Sequence, residues 1–401
     1  MLKARTYTYR FHIFSFLLIL IYFHIPNFYF IKNTIDTGIA AIILLALLFV
    51  EEWRIKKAMV GFLLLSSLLL AVSTINDYDL ISLFHKITYI LLFIATVSWC
   101  KNNDYDKIFN YFIFFGLVIA AISTYIHQDP VFYKHLINSI GVNSGYPDFS
   151  GAIVFSSTIP FVNANTFGYI FTPLIFMVYF LYKSSGKVIY LFPLFVFALI
   201  AIMSFSKGVT MFILISIAVL FIKGWANMKD ILIMFFLFFA TYLSGAIDPL
   251  IIKFDAFLIG NSRYDVGNSS ERLLTMKDSI QNIDLHSIIG ISEINDEVQR
   301  YNVGDHNTFT WMMYADGILY FVFFLLFNFY IFYKAHLASK YAKFRKLQKE
   351  KLLVDVLLSI SIASFVTLML APPYAYYWII LALCYSVSLR ILENVKIEIV
   401  Q

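Results

Sequence analysis

Arg272 and His306 are the residues of this 401-residue chain best suited to chemistry on a charged substrate. Arg272 closes the run Asn268-Ser269-Ser270-Glu271-Arg272, in which Asn268 and Glu271 have the spacing of a helix capping box. The box predicts a helix over 269–283, its apolar side formed by Leu273, Met276, Ile280 and Ile283. Arg272 then falls in the first turn, beside free backbone N–H groups and the positive end of the helix dipole. A guanidinium there suits a phosphate, through charge-assisted bonds of about 1.5–3 kcal/mol each. A surface arginine paired with a neighbouring carboxylate leaves the same local signature. His306 lies in Gly304-Asp305-His306-Asn307-Thr308-Phe309, just before Trp311-Met312-Met313. An imidazole, with an ordinary pKa of about 6.5, can take the proton of a hydroxyl nucleophile. It could equally cap the helix that follows.

Three further sites carry charge or hydrogen-bonding groups in apolar surroundings. Lys207 sits in the turn Ser204-Phe205-Ser206-Lys207-Gly208, which barely leaves an apolar run. It can snorkel to a membrane surface or hold an anion there. Lys86, in Ile81-Ser82-Leu83-Phe84-His85-Lys86, falls about two turns into another apolar run. A charge at the centre of a membrane helix costs about 2.5–3.5 kcal/mol, so such a lysine faces a polar cavity or snorkels. Asn163 and Asn165 open a third run and could cap it. Ala371-Pro372-Pro373-Tyr374-Ala375-Tyr376-Tyr377-Trp378 reads as a belt of aromatic rings at a membrane interface around a tight turn.

The scaffold that must position these groups is lipid-embedded. Hydrophobic residues make up 60% of the chain and charged residues 14%, against about 45–50% and about 25% in soluble proteins. Apolar runs predict an all-α polytopic membrane protein with about twelve spans. These fall near 11–30, 36–50, 58–74, 80–99, 108–126, 166–182, 188–204, 209–222, 231–247, 315–333, 352–370 and 375–390. The chain then forms one membrane domain over 1–401, interrupted by a long polar segment at 249–314 and a smaller one at 127–165. With the N-terminus inside, most of the 30 Lys and Arg collect on the inner side, so both termini are cytoplasmic. Both polar segments face outward, with Arg272, Lys207 and Lys86. The basic run Lys334–Lys351 is then a solvated inner loop, the net charge of +5 follows from the same asymmetry and says nothing about partners, and no nucleic acid partner is expected. The basic, apolar N-terminus reads as an uncleaved first helix, because no small-residue cleavage site follows it. The two cysteines, Cys100 and Cys384, lie in or beside spans and suggest no disulfide framework.

Several chemistries lack their residues. Ser184-Ser185-Gly186-Lys187 has no upstream glycine to begin a phosphate-binding P-loop, which weighs against an ATP-driven pump. His286, Asp305 and His306 are too loosely spaced to define a metal site, and none is expected. No long internal repeat marks a secondary transporter.

Taken in order, these features resemble the O-antigen ligase/polymerase family, which includes the Wzy-type polymerases. The correspondence covers about the last two thirds of the chain. Asn163-Ala164-Asn165 matches an asparagine-bearing segment that opens a middle span, and Ser206-Lys207-Gly208 matches a Ser-Arg-Gly turn. Arg272 matches an arginine at the start of a helix in a long external loop. Ile289-Gly290-Ile291-Ser292 matches a G-x-G-like stretch, and His306-Asn307 a His-Asn pair before the next span. Asp316-Gly317-Ile318-Leu319 matches a closing acidic-Gly pattern, and Lys86 a cation in an early outer helix end. The sequence departs at Lys207, where arginine is usual, at Ser292, where a second glycine is usual, and in lacking a proline before the apolar pair.

The resemblance implies an inner-membrane O-antigen polymerase with its active site in a periplasmic, partly helical loop. Such an enzyme is a metal-independent, cofactor-free glycosyltransferase. Its donor and acceptor are undecaprenyl-pyrophosphate-linked oligosaccharides, with membrane lipid around them and a chain-length regulator and a flippase as pathway partners. His306 and Arg272 would be catalytic. Arg272, Lys207 and Lys86 would bind the pyrophosphate, and Asn307, Asn163 and Asn165 would support them. A ligase transferring glycan to lipid A-core, a flippase of lipid-linked sugar and a scaffold protein are the alternatives.

Overall fold

A computed structural model describes residues 2–23, 57–75, 80–101, 103–128, 164–203, 207–225, 309, 312–368 and 375–400. The described residues form helices and no strand. In chain order these are α1 (Leu2–Tyr22), α2 (Lys57–Ile75), α3 (Leu80–Lys101), α4 (Tyr105–Gln128) and α5 (Ala164–Ser185). They continue through a short 3₁₀ turn (Val188–Tyr190) to α6 (Leu191–Met203) and α7 (Lys207–Ile222). A π-helical turn (Met312–Asp316) leads into α8 (Ile318–Phe344), followed by α9 (Gln348–Thr367) and α10 (Ala375–Val400). The spans expected at 36–50 and 231–247 lie outside the described residues. The other ten expected apolar runs are helical where they are described, apart from Phe23, Gly317 and Leu368.

Tyr105–Ile122, Ile318–Phe344 and Ala375–Glu393 are long and apolar enough to cross a membrane, and four shorter apolar stretches accompany them. Apolar side chains cover the outside as well as the core: Leu64 is 65% exposed, Phe114 60% and Leu214 62%. Water would penalise such a surface, whereas acyl chains match it. These helices support membrane association of the chain.

The hub of the bundle is α9 and α10. Every residue from Leu352 to Ser361 and from Ala375 to Leu389 is buried. Around α10, aromatic side chains interlock: Phe93 of α3 meets Phe327 of α8 with ring centroids 5.2 Å apart, and Trp378 and Tyr385 at 6.4 and 6.2 Å. The Tyr22 hydroxyl donates to the Ile170 carbonyl at 2.8 Å and ties the end of α1 to the start of α5. Gly116 lets α4 approach its neighbours. A Cβ at this position would stand 2.7 Å from Leu174 Cδ1 and 2.8 Å from Phe197 Cζ. Both side chains are fully buried and have little room to retreat. Gly116→Ala is therefore expected to destabilise the bundle by about 1–3 kcal/mol, as overpacking does. Gly61→Ala, with open space around it, should not. Melting temperatures of the two purified variants in one detergent check this.

The structure corrects two expectations. The basic stretch from Lys334 is not an irregular inner loop. It continues α8 to Phe344, making a helix of 27 residues, about 40 Å long against a hydrocarbon thickness of about 30 Å. Ala335, Ala338, Ser339 and Ala342 recur at helical spacing and are buried, so a face of small residues carries the packing beyond the apolar span. The helix then ends in a Schellman turn. Leu347 N–H donates to the Ala342 carbonyl at 2.9 Å and Lys346 N–H to the Lys343 carbonyl at 3.1 Å, with Lys346 at φ 59° in place of the usual glycine. The second correction concerns the aromatic belt. Tyr376, Tyr377 and Trp378 are 1–5% exposed and point into the bundle. The Tyr377 hydroxyl bonds Asn328 Oδ1, whose amide donates to the Phe324 carbonyl at 2.8 Å. These three rings therefore belong to the core of the bundle and do not form an exposed belt.

Candidate functional site

Arg272, His306, Asn307 and Asn163 lie outside the described residues, as do the helix expected over 269–283 and the Gly290 stretch. Asn165 and Lys207 are placed by their backbones, near the first residue of α5 and at the first residue of α7. Lys86 is described in full.

These three positions share one end of the bundle. Tyr169 stacks on Tyr376 and lies beside Phe212, both at 6.3 Å between ring centroids. The first turns of α5, α7 and α10 are thus level with one another. Phe93 and Phe324 join the same layer through Trp378, at 6.4 and 6.1 Å. Lys86 stands about two turns before Phe93, and Asn165 and Lys207 just over one turn before Tyr169 and Phe212. At about 1.5 Å per residue all three lie about 6–12 Å beyond the aromatic layer, on the same side of it. The N-termini of α3, α5, α7, α8 and α10 converge there, interleaved with the C-termini of α1, α4, α6 and α9.

Lys86 forms an ion pair with Asp316, the last residue of the π-helical turn. The carboxylate is 2% exposed and the ammonium side chain 19%. Local backbone chemistry sets this up. Gly317 adopts φ 87° and ψ 153°, which side chains rarely tolerate, so a glycine is needed where the π turn hands over to α8. Upstream, Phe309 packs against Phe321 of α8 at 5.8 Å and Phe365 of α9 at 5.3 Å. The stem that follows His306-Asn307 in sequence is thus pinned twice, by an aromatic contact at Phe309 and by charge at Asp316. The fold joins two motif positions that are far apart in the chain, the early cation and the closing acidic-Gly pair.

The opposite end holds a second charged cluster. Gly224, at φ 77°, terminates α7 in a Schellman turn: its N–H reaches the Phe221 carbonyl, and Trp225 N–H the Leu220 carbonyl, both at 2.9 Å. This turn presents Lys223 and Trp225 to Asp355, which is fully buried about two turns inside α9. Trp225 Nε1–H donates to Asp355 Oδ2 at 2.8 Å, and Lys351 Nζ to the same oxygen at 3.0 Å. Lys223 Nζ lies 3.3 Å from Oδ1, and Lys351 also covers the Trp225 ring at 4.3 Å. Neighbouring ties close this end: Lys349 to Asp106 at 2.6 Å, and Arg390 to the Asn103 carbonyl at 3.2 Å. The interior charges are therefore shared between both ends and are not confined to an outer edge.

Asp355 escaped the sequence reading, although a carboxylate flanked by Val354 and Val356 in an apolar run signals a buried partner. Lys351, one turn earlier, was the available clue. Among the described residues, no three His, Cys, Asp or Glu side chains gather in a way that could hold a metal ion. No family model, curated protein or solved structure matches this chain.

Proposed function

We propose that this chain is an O-antigen polymerase, a glycosyltransferase that lengthens a surface polysaccharide on its undecaprenyl pyrophosphate carrier. The end of the bundle bearing Lys86, Lys207 and Asp316 faces the periplasm on this reading, and both termini face the cytoplasm. The observation that carries it is the Lys86–Asp316 contact, which unites two separate elements of the motif series at the helix end where Lys207 also lies. A diphosphate at a membrane surface needs cations, and Lys86 and Lys207 both lie at that end.

In the reaction, a hydroxyl of the newly delivered lipid-linked repeat attacks the anomeric carbon of the growing chain. The carbon–oxygen bond to the diphosphate breaks as the new glycosidic bond forms. His306 receives the hydroxyl proton, and undecaprenyl pyrophosphate departs as an anion. Arg272, Lys207 and Lys86 balance its charge, the role a divalent metal takes in many phosphate enzymes. Asn307, Asn163 and Asn165 orient the sugars and backbone nearby. The donor is already activated, so the step consumes no nucleotide.

Purified protein in vesicles, given one defined undecaprenyl-pyrophosphate-linked repeat, is expected to produce a ladder of longer lipid-linked glycans. Unchanged length overturns the proposal. Transfer only when lipid A-core is added identifies a ligase, and movement of intact substrate across the bilayer identifies a flippase.

A further inference from the structure

The structure assigns Asp316 a task beyond closing a helix: we propose that it is the positioning residue that holds the Lys86 ammonium at the diphosphate subsite. This inference rests on the polymerase reading for its substrate, and on geometry for its residues. An ammonium about two turns inside an apolar helix has two ordinary fates, loss of its proton or a bend toward water. Neither leaves a fixed positive charge. A carboxylate that is itself 2% exposed, in contact with that ammonium, fixes its direction.

The backbone around Asp316 is built for that placement. A π-helical turn precedes it and a positive-φ glycine follows it, two irregularities that set the side chain off the regular helical spiral of α8. Phe309 fixes the other end of the same stem against α8 and α9. One short segment therefore follows His306-Asn307 directly in the chain and also determines where the Lys86 charge stands. Asp316 touches neither sugar nor phosphate in this scheme and acts through Lys86 alone.

The test separates a positioning role from a purely structural one. Donor KM and kcat are measured on purified wild-type, Asp316→Asn, Asp316→Glu, Lys86→Met and charge-swapped Lys86→Asp/Asp316→Lys protein in vesicles. Asp316→Asn and Lys86→Met are expected to raise donor KM about tenfold to a hundredfold, the loss expected of one charge-assisted contact. Asp316→Glu should recover part of it. The swapped pair should recover melting temperature but not donor KM, because its cation now stands in the π-helical turn. Recovery of both by the swap, or an unchanged KM in well-folded Asp316→Asn, overturns the proposal. Binding of inorganic pyrophosphate to the same proteins is followed independently of turnover. Pyrophosphate affinity that falls in both single variants supports the subsite even where no glycan is lengthened, a result that would sink only the polymerase reading. Affinity indifferent to both variants overturns the subsite even if wild-type protein makes polymer.

Discussion

His306→Ala and Arg272→Ala are each expected to abolish long polymer in cells that carry the repeat-unit pathway, while the protein stays in the membrane at normal abundance. The two losses have different physical origins. Removing a general base costs about 10²–10⁴ in rate, because the attacking hydroxyl must then shed its proton without a positioned acceptor. Removing a preorganised donor from a developing anion costs about 10²–10³. Arg272→Lys should fall between wild type and Arg272→Ala, since it keeps the charge but loses the planar fork that binds two phosphate oxygens together. Gel electrophoresis of cell-surface glycolipid reads the outcome. Core bearing a single repeat unit is the expected product of both alanine variants, bare core would indicate a ligase, and polymer of unchanged length in both removes these residues from the mechanism.

Asp355→Ala should produce the largest loss of stability. The carboxylate faces two lysines and an indole N–H at the end of the bundle opposite Lys86, and it is fully buried. Taking one partner from a buried ion pair costs about 3–5 kcal/mol, because the remaining charge is left without compensation. The lower figure is expected, since the side chains of Lys351 and Lys223 keep 12% and 18% exposure and can be partly rehydrated. Asp355→Asn separates the contributions: an amide oxygen can still accept from Trp225, but the charge is gone. It should therefore lose less than alanine. Combining Asp355→Ala with Lys351→Met should recover part of the stability, because the stranded cation is removed as well. The measurement is thermal unfolding in detergent, followed by a probe in α9. Equal stability of Asp355→Ala and wild type would show that the cluster is solvated and carries little of the fold.

The helical character of the chain was legible before any coordinates, because lipid leaves a backbone few ways to satisfy its own polar groups. The predicted boundaries at 58–74 and 80–99 lie within a residue or two of the helices at Lys57–Ile75 and Leu80–Lys101. At Lys334 the reading stopped too early. Charge signals the edge of the apolar run there, but the helix continues to Phe344, because a face of small residues keeps it packed. Tyr376, Tyr377 and Trp378 went astray for a related reason. A cluster of aromatic residues has the same composition in a core as in an interface belt, and only neighbours such as Asn328 and Phe324 distinguish them.

The candidate site divides along the same line. Residue type and spacing alone singled out Lys86, Asn165, Lys207, Arg272 and His306, since a cation in an apolar run or a histidine at the end of a polar segment is conspicuous wherever the chain goes. Only tertiary packing decided that Lys86 meets Asp316 and that Lys223 and Lys351 share Asp355. Those pairs join residues brought together by helix register and direction. A linear pattern fixes how a helix repeats, but not which neighbour it turns toward.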